Sequence, residues 1–194
     1  MKPLITLLIY FISINVSGQD KSLPYYEVPE APKDFSGGAM VARMVDGLGF
    51  RFYWATEGLR SSDLSYKPNA DARTCEQTIE HIYEMSFIIA NAATKNPNVP
   101  GQNKKASFDE MRKQTLENLQ IASSLFRTYQ NNKMSELKIT FQQGGKSADY
   151  PFWNLLNGPL ADCVWHVGQV VSFRRSSGNP FNEKVNLFTG KLDK

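Results

Sequence analysis

Apolar residues recur at three- and four-residue intervals through four long stretches of the chain, the period that gives an α-helix one oily face. The first stretch follows Ser36 and runs to about Arg60, with Val41, Met44, Val45, Leu48, Phe52, Ala55 and Leu59 in phase. Phe50, Phe52, Tyr53 and Trp54 read there as core and rim packing. The second opens on Thr74-Cys75-Glu76-Gln77, a capping box in which Gln77 reaches back to the Thr74 backbone. Thr78, His81, Ile82, Met85, Ile88 and Ile89 then share a face, and Pro97 and Pro100 stop the helix beyond Asn96. A second capping box, Ser107-Phe108-Asp109-Glu110, starts the third stretch. Its core face uses Met111, Leu116, Leu119, Ile121, Ala122, Leu125 and Phe126, and it ends near Asn131-Asn132. Leu137 to Gln142 alternates as a short extended piece that Gly144-Gly145 breaks.

The fourth stretch runs from Pro151 to Pro180, with a kink or restart expected at Asn157-Gly158-Pro159 and a stop at Ser177-Gly178-Asn179-Pro180. Four amphipathic helices without a sustained strand pattern predict an all-α four-helix bundle over residues 36–194, with loops long enough for at least one crossover connection. The tail to Lys194 offers Val185, Leu187 and Phe188 to pack back on it.

Two segments precede the helices. Residues 1–18 have the layout of a secretory leader: Lys2, an apolar run from Leu4 to Val16, then small residues at Val16-Ser17-Gly18. The run is shorter than the about 20 apolar residues a membrane span needs. The expectation is an exported chain, periplasmic or secreted, with no membrane association beyond the leader. Residues 19–35 carry three prolines among Tyr, Glu and Lys, which forbids a helix and predicts an extended arm that lies on the domain or stays mobile, with Tyr25 and Tyr26 suited to some docking.

Composition narrows the functional classes. The chain has 194 residues, of which 41% are hydrophobic and 21% charged, an ordinary globular balance. Its formal net charge is +3, too weak and too dispersed for nucleic acid or an anionic membrane surface. Export would allow Cys75 and Cys163 to pair, but each sits in a helical pattern that also suits a buried free thiol.

Chemistry concentrates on one stripe of the fourth helix: Phe152, Leu155, Pro159, Asp162, His166, Gln169, Phe173. Its ends are apolar and its middle is polar, a costly arrangement unless the polar groups have partners. Asp162 and His166 are one helical turn apart on one face. With His81, the chain's other histidine, they make a two-histidine, one-carboxylate set for zinc, nickel, iron or manganese, with open coordination positions. The competing reading is that Asp162 and His166 satisfy each other while His81 bonds elsewhere. Gln169, with Trp165 nearby, is placed to orient a substrate or to support the ligands. Arg174 and Arg175 complement the dipole of their own helix end, or secondarily bind an anion. A His-Glu-x-x-His motif, a Glu-x-x-His pair, a nucleophile triad and a glycine-rich phosphate loop are all missing.

Several of these pieces resemble the DinB/YfiT-like proteins. They are Asn157–Asp162, Trp165-His166-Val167-Gly168-Gln169, Arg174–Pro180, the first-helix run Ala42–Ala55, and Glu80-His81. The likeness covers roughly residues 36–180. It implies a four-helix bundle with a crossover, often a homodimer, holding a divalent metal through positions that map to His81, Asp162 and His166. Members of that family usually carry histidine where this chain has Asp162, and a carboxylate there shifts preference toward harder ions. Some relatives are transferases or isomerases that use small thiols, which suits a reducing compartment rather than an exported chain. Many members have no assigned reaction, and the expectation for this chain is a metal-dependent hydrolase or transferase acting on a small molecule. The alternative is a non-catalytic, ligand-binding or structural bundle with a vestigial metal site.

Overall fold

The computed structural model describes residues 23–194 apart from Lys104, so the leader read at 1–18 lies outside the described residues. Four long helices carry the core: α1 (Gly37–Thr56), α3 (Cys75–Thr94), α4 (Phe108–Phe126) and α7 (Ala161–Ser176). Between them lie the single turns α2 (Ser61–Leu64), α5 (Asn131–Met134) and α6 (Trp153–Leu155). A hairpin, β1 (Lys138–Gln143) and β2 (Lys146–Pro151), precedes α6, and a smaller one, β3 (Val185–Asn186) and β4 (Lys191–Leu192), follows α7. The architecture is thus mostly helical with two small antiparallel sheets, where the sequence pattern predicts an all-α bundle with one short extended piece, at the position of β1.

Local chemistry explains the helix starts. Ser36 accepts a hydrogen bond from the Ala39 amide. Both predicted capping boxes form: Thr74 with Gln77, and Ser107 with Glu110, each bonded in both directions. The first helix stops at Thr56 rather than near Arg60, because Glu57 is extended and Gly58 adopts φ +67°. Between strands β1 and β2, Gly144 and Gly145 sit at φ +57° and +76°, so the predicted break is a two-residue turn of the kind that closes a hairpin. Tyr150 and Pro151 therefore belong to a strand and not to the fourth helix.

The arm packs as a structural member of the core. Tyr25 is buried, and its ring covers Gly49, where a Cβ would come within 2.5 Å of it. The Trp54 indole donates to the Tyr26 carbonyl. Helix α4 lies between α1 and α3, and α7 packs against both α1 and α3. Gly38 lets α1 and α4 touch, since a Cβ there would meet the Phe126 carbonyl oxygen at 2.3 Å. Further contacts fix the pairing: Asn118 donates to Ser86, Tyr129 to the Ala93 carbonyl, and Arg112 to Thr56 and Glu57.

Some single-residue expectations change. Ile121, expected in the core, is 46% exposed. Of the three tail residues expected to pack back, Val185 is buried, Leu187 is exposed and Phe188 is 99% exposed. Cys75 and Cys163 are both buried free thiols.

Candidate metal centre

The centre is built where α3 and α7 face each other. The fourth helical stretch does not run straight through. Leu156–Leu160 forms a wider π-type turn, and Gly158 leaves the helical region at φ −97°, ψ −110°. Pro159 follows, its missing N–H harmless at a restart. The restart puts Asp162 in the first turn of α7, where a carboxylate suits the helix dipole. His166 follows one turn later, and α3 supplies His81 from across the interface.

The three side chains converge. His81 Nε2 lies 2.9 Å from Asp162 Oδ2, and His166 Nε2 lies 3.5 Å from Asp162 Oδ1. One donor atom from each residue falls within 4.8 Å of the others. The imidazole rings stand edge to face with centroids 4.8 Å apart. Asp162 thus has His81 as its nearer partner, which overturns the reading in which His81 bonds elsewhere. Side-chain exposures of 23% for His81, 37% for Asp162 and 16% for His166 leave the cluster open to solvent.

Gln169 completes the arrangement. Its Oε1 lies 2.7 Å from His166 Nδ1. A carboxamide oxygen only accepts, so Nδ1 donates to it and Nε2 is the nitrogen left on the Asp162 side. This is the support that orients a ligating histidine. Trp165 projects from α7 at 72% exposure, on the solvent side of the helix. A cleft of about 640 Å³ lies elsewhere, between the start of α1 and the β1–β2 hairpin, and none of the three donors lines it.

The neighbouring cysteines take no part as nucleophiles. Burial, helped by the Asp162 charge, pushes the Cys163 thiol up to about 12. Burial does the same to Cys75, also to about 12, with the Asp63 charge adding to it. Both remain protonated at neutral pH.

Both arginines lie in the last turn of α7, where a cation suits the dipole, and Arg174 does more than that. Arg174 is buried, and its Nη1 donates to the carbonyls of Trp54, Ala55 and Glu57, closing the far end of α1. Its Nε donates to the Asn179 carbonyl. Asn179 and Ser177 in turn donate to Asp63, which also receives Arg60. The Arg-Arg-Ser-Ser-Gly-Asn motif is therefore a clasp between the ends of α1, α2 and α7. Sequence reading assigned it to the helix end because its partners lie more than a hundred residues away. Arg175 faces outward.

Comparison with protein families, with curated proteins and with solved structures finds no match. Among the described residues, no helix is long and apolar enough to cross a membrane.

Proposed function

We propose that this chain is an exported, DinB-like four-helix bundle that binds a divalent metal through His81, Asp162 and His166 and uses it in hydrolysis or group transfer on a small molecule. The observation that carries the reading is the convergence of two imidazoles and a carboxylate within 4.8 Å, with one imidazole oriented by Gln169. The donors fit the group. At metal–ligand distances of about 2.0–2.2 Å, donors around one tetrahedral ion stand about 3.4 Å apart. His81 reaches Asp162 Oδ2 at 2.9 Å and His166 reaches the other oxygen, Oδ1, at 3.5 Å, and a set of one donor atom per residue, now within 4.8 Å, closes to that figure by about 1.4 Å at most.

Other observations support the bundle with its crossover. Ser86 meets Asn118 and Ala93 meets Tyr129, so α3 and α4 run in the same direction and residues 95–107 must travel back along them. Arg174 meets Trp54 and Ala55, so α7 runs with α1. A crossover of this kind supports the reading that rests on the resemblance of Trp165–Gln169 and Arg174–Pro180 to that family.

A metal held there supplies Lewis acidity and a bound water of lowered pKa. The chain's own contribution is placement. Asp162, His81 and His166 would hold the ion, and Gln169, bonded to His166 Nδ1, orients that ring. Zinc, nickel, iron and manganese all accept this donor set.

The test is to purify the protein without chelators or affinity metals and to measure bound metals by elemental mass spectrometry. The expected result is near-stoichiometric metal, lost in the Asp162→Ala, His166→Ala double variant. Gln169→Leu is expected to weaken affinity about ten- to a hundredfold. Equal metal in the parent and the double variant would refute the site. A second reading, a non-catalytic bundle, is favoured by the 2.9 Å bond between His81 and Asp162, which lets the cluster satisfy itself. Absence of metal from a well-folded protein would select it.

A further inference from the structure

The outward arginine of the tandem pair borders a groove that the metal reading does not use. Helices α1 and α7 leave between them an opening of about 300 Å³, lined by Val164, Val171, Phe181 and Leu187 with Arg51 and Arg175 among the lining residues. The volume sits at the small end of the range for ligand pockets. Among the described residues, no acidic side chain lines it.

Its two cations differ from the other arginines of these helix ends. Arg60, Arg112 and Arg127 each hold a carboxylate, that of Asp63, Glu57 and Asp46 respectively. Arg174 is saturated with carbonyls. Arg51 donates one bond, to the Gly47 carbonyl of its own helix, and Arg175 lies against the Phe181 ring at 5.4 Å. Among the described residues, neither Arg51 nor Arg175 forms an ion pair. Both line the groove, the Arg51 guanidinium folded back along α1 to Gly47 and that of Arg175 lying on Phe181.

We infer that this groove binds a small amphipathic carboxylate, its apolar body against Val164, Val171 and Leu187 and its charge drawn to the cations that line the groove, Arg51 and Arg175. The guanidinium fork matches a carboxylate with paired, charge-assisted hydrogen bonds. The apolar lining rewards a hydrocarbon body, which a simple inorganic anion lacks. Charge and lining together select a ligand with both parts.

The experiment uses octanoate, with octanol as its uncharged counterpart, titrated into the isotope-labelled protein and followed by NMR at the Val164 and Val171 methyls and the Trp54 indole. The expected result is saturable octanoate binding with shifts at those three positions. Octanol is expected to bind at least about tenfold more weakly, the scale of a hydrogen bond to a charged group. An Arg51→Gln, Arg175→Gln double variant should lose the preference for octanoate and still bind octanol. Because both side chains are at the surface or half-buried, the variant's fold is checked independently by its thermal midpoint. Equal affinity for the two ligands, octanoate binding unchanged in the double variant, or shifts confined to residues outside the groove would each overturn the assignment. So would a dimer that dissociates in the double variant while octanoate binding persists, which would assign the groove to a second copy of the chain.

Discussion

Replacing Asp63 by alanine tests the clasp at the helix ends. Asp63 is fully buried, yet it sits on a four-residue helix that has little stability of its own. Its carboxylate accepts from the Arg60 amide and from Arg60 Nε and Nη2, at 2.8, 3.0 and 2.8 Å. Ser177 Oγ and Asn179 Nδ2 add bonds of 2.6 and 2.7 Å. Losing one side of a buried charged network costs about 3–5 kcal/mol. The lower end applies here. Arg60 is half exposed and re-solvates, Ser177 keeps the Arg174 carbonyl, and Asn179 keeps the Gly58 carbonyl. The expected loss is about 3 kcal/mol, or about 6–12 °C in thermal midpoint for a chain of this size. Urea unfolding at pH 7 followed by circular dichroism measures it.

The same network sets a pH dependence. Burial alone would raise the Asp63 pKa, but the bonds from Arg60, Ser177 and Asn179 hold it well below the ordinary aspartate range. A depressed carboxylate stabilises the folded state above its unfolded pKa of about 3.9 and loses that contribution as the pH falls toward its folded value. The gap between the parent and Asp63→Asn should therefore be constant from pH 5 to pH 8 and narrow below pH 4. A loss under about 1 kcal/mol for Asp63→Ala, or a gap that widens in acid, would refute the reasoning.

Two further outcomes follow from packing. Gly38→Ala should destabilise the protein by about 3 kcal/mol or more, since the added methyl meets the Phe126 and Tyr129 carbonyl oxygens at 2.3 and 2.5 Å and backbone gives way only by parting α1 from α4; urea unfolding reads it. Cys75 and Cys163, both raised to about 12, should resist a thiol-specific disulfide reagent at pH 8 in the folded protein and react at once in urea, as read by absorbance.

What the sequence made legible depended on how far apart the interacting residues lie. The capping boxes at Thr74 and Ser107 were readable because both partners sit within three residues. Asp162 and His166 were readable as a pair because a single helical turn joins them. The hairpin was not. Every residue of β2 is exposed, so Lys146–Pro151 shows no apolar alternation, and Gly144-Gly145 looked like a break instead of a turn. Ile121 was misplaced because it falls at the margin of its helix's apolar stripe, where a small rotation decides between core and solvent. The Arg174 contacts were beyond any local pattern: an arginine near a helix end reads as complementing that end, and this one closes a different helix.

That last contact bears on the order in which the chain can acquire its structure. The carbonyls that finish α1 wait for a side chain 117 to 120 positions later. Until α7 emerges and turns alongside, the first helix has an open end, and the short α2 lacks the Ser177 and Asn179 donors that hold its aspartate. Contacts of such long sequence separation slow folding. A chain synthesised from its N-terminus therefore remains incomplete until residues 174–179 are made, and a truncation just before Arg174 should leave the first helix frayed although every residue of it is present.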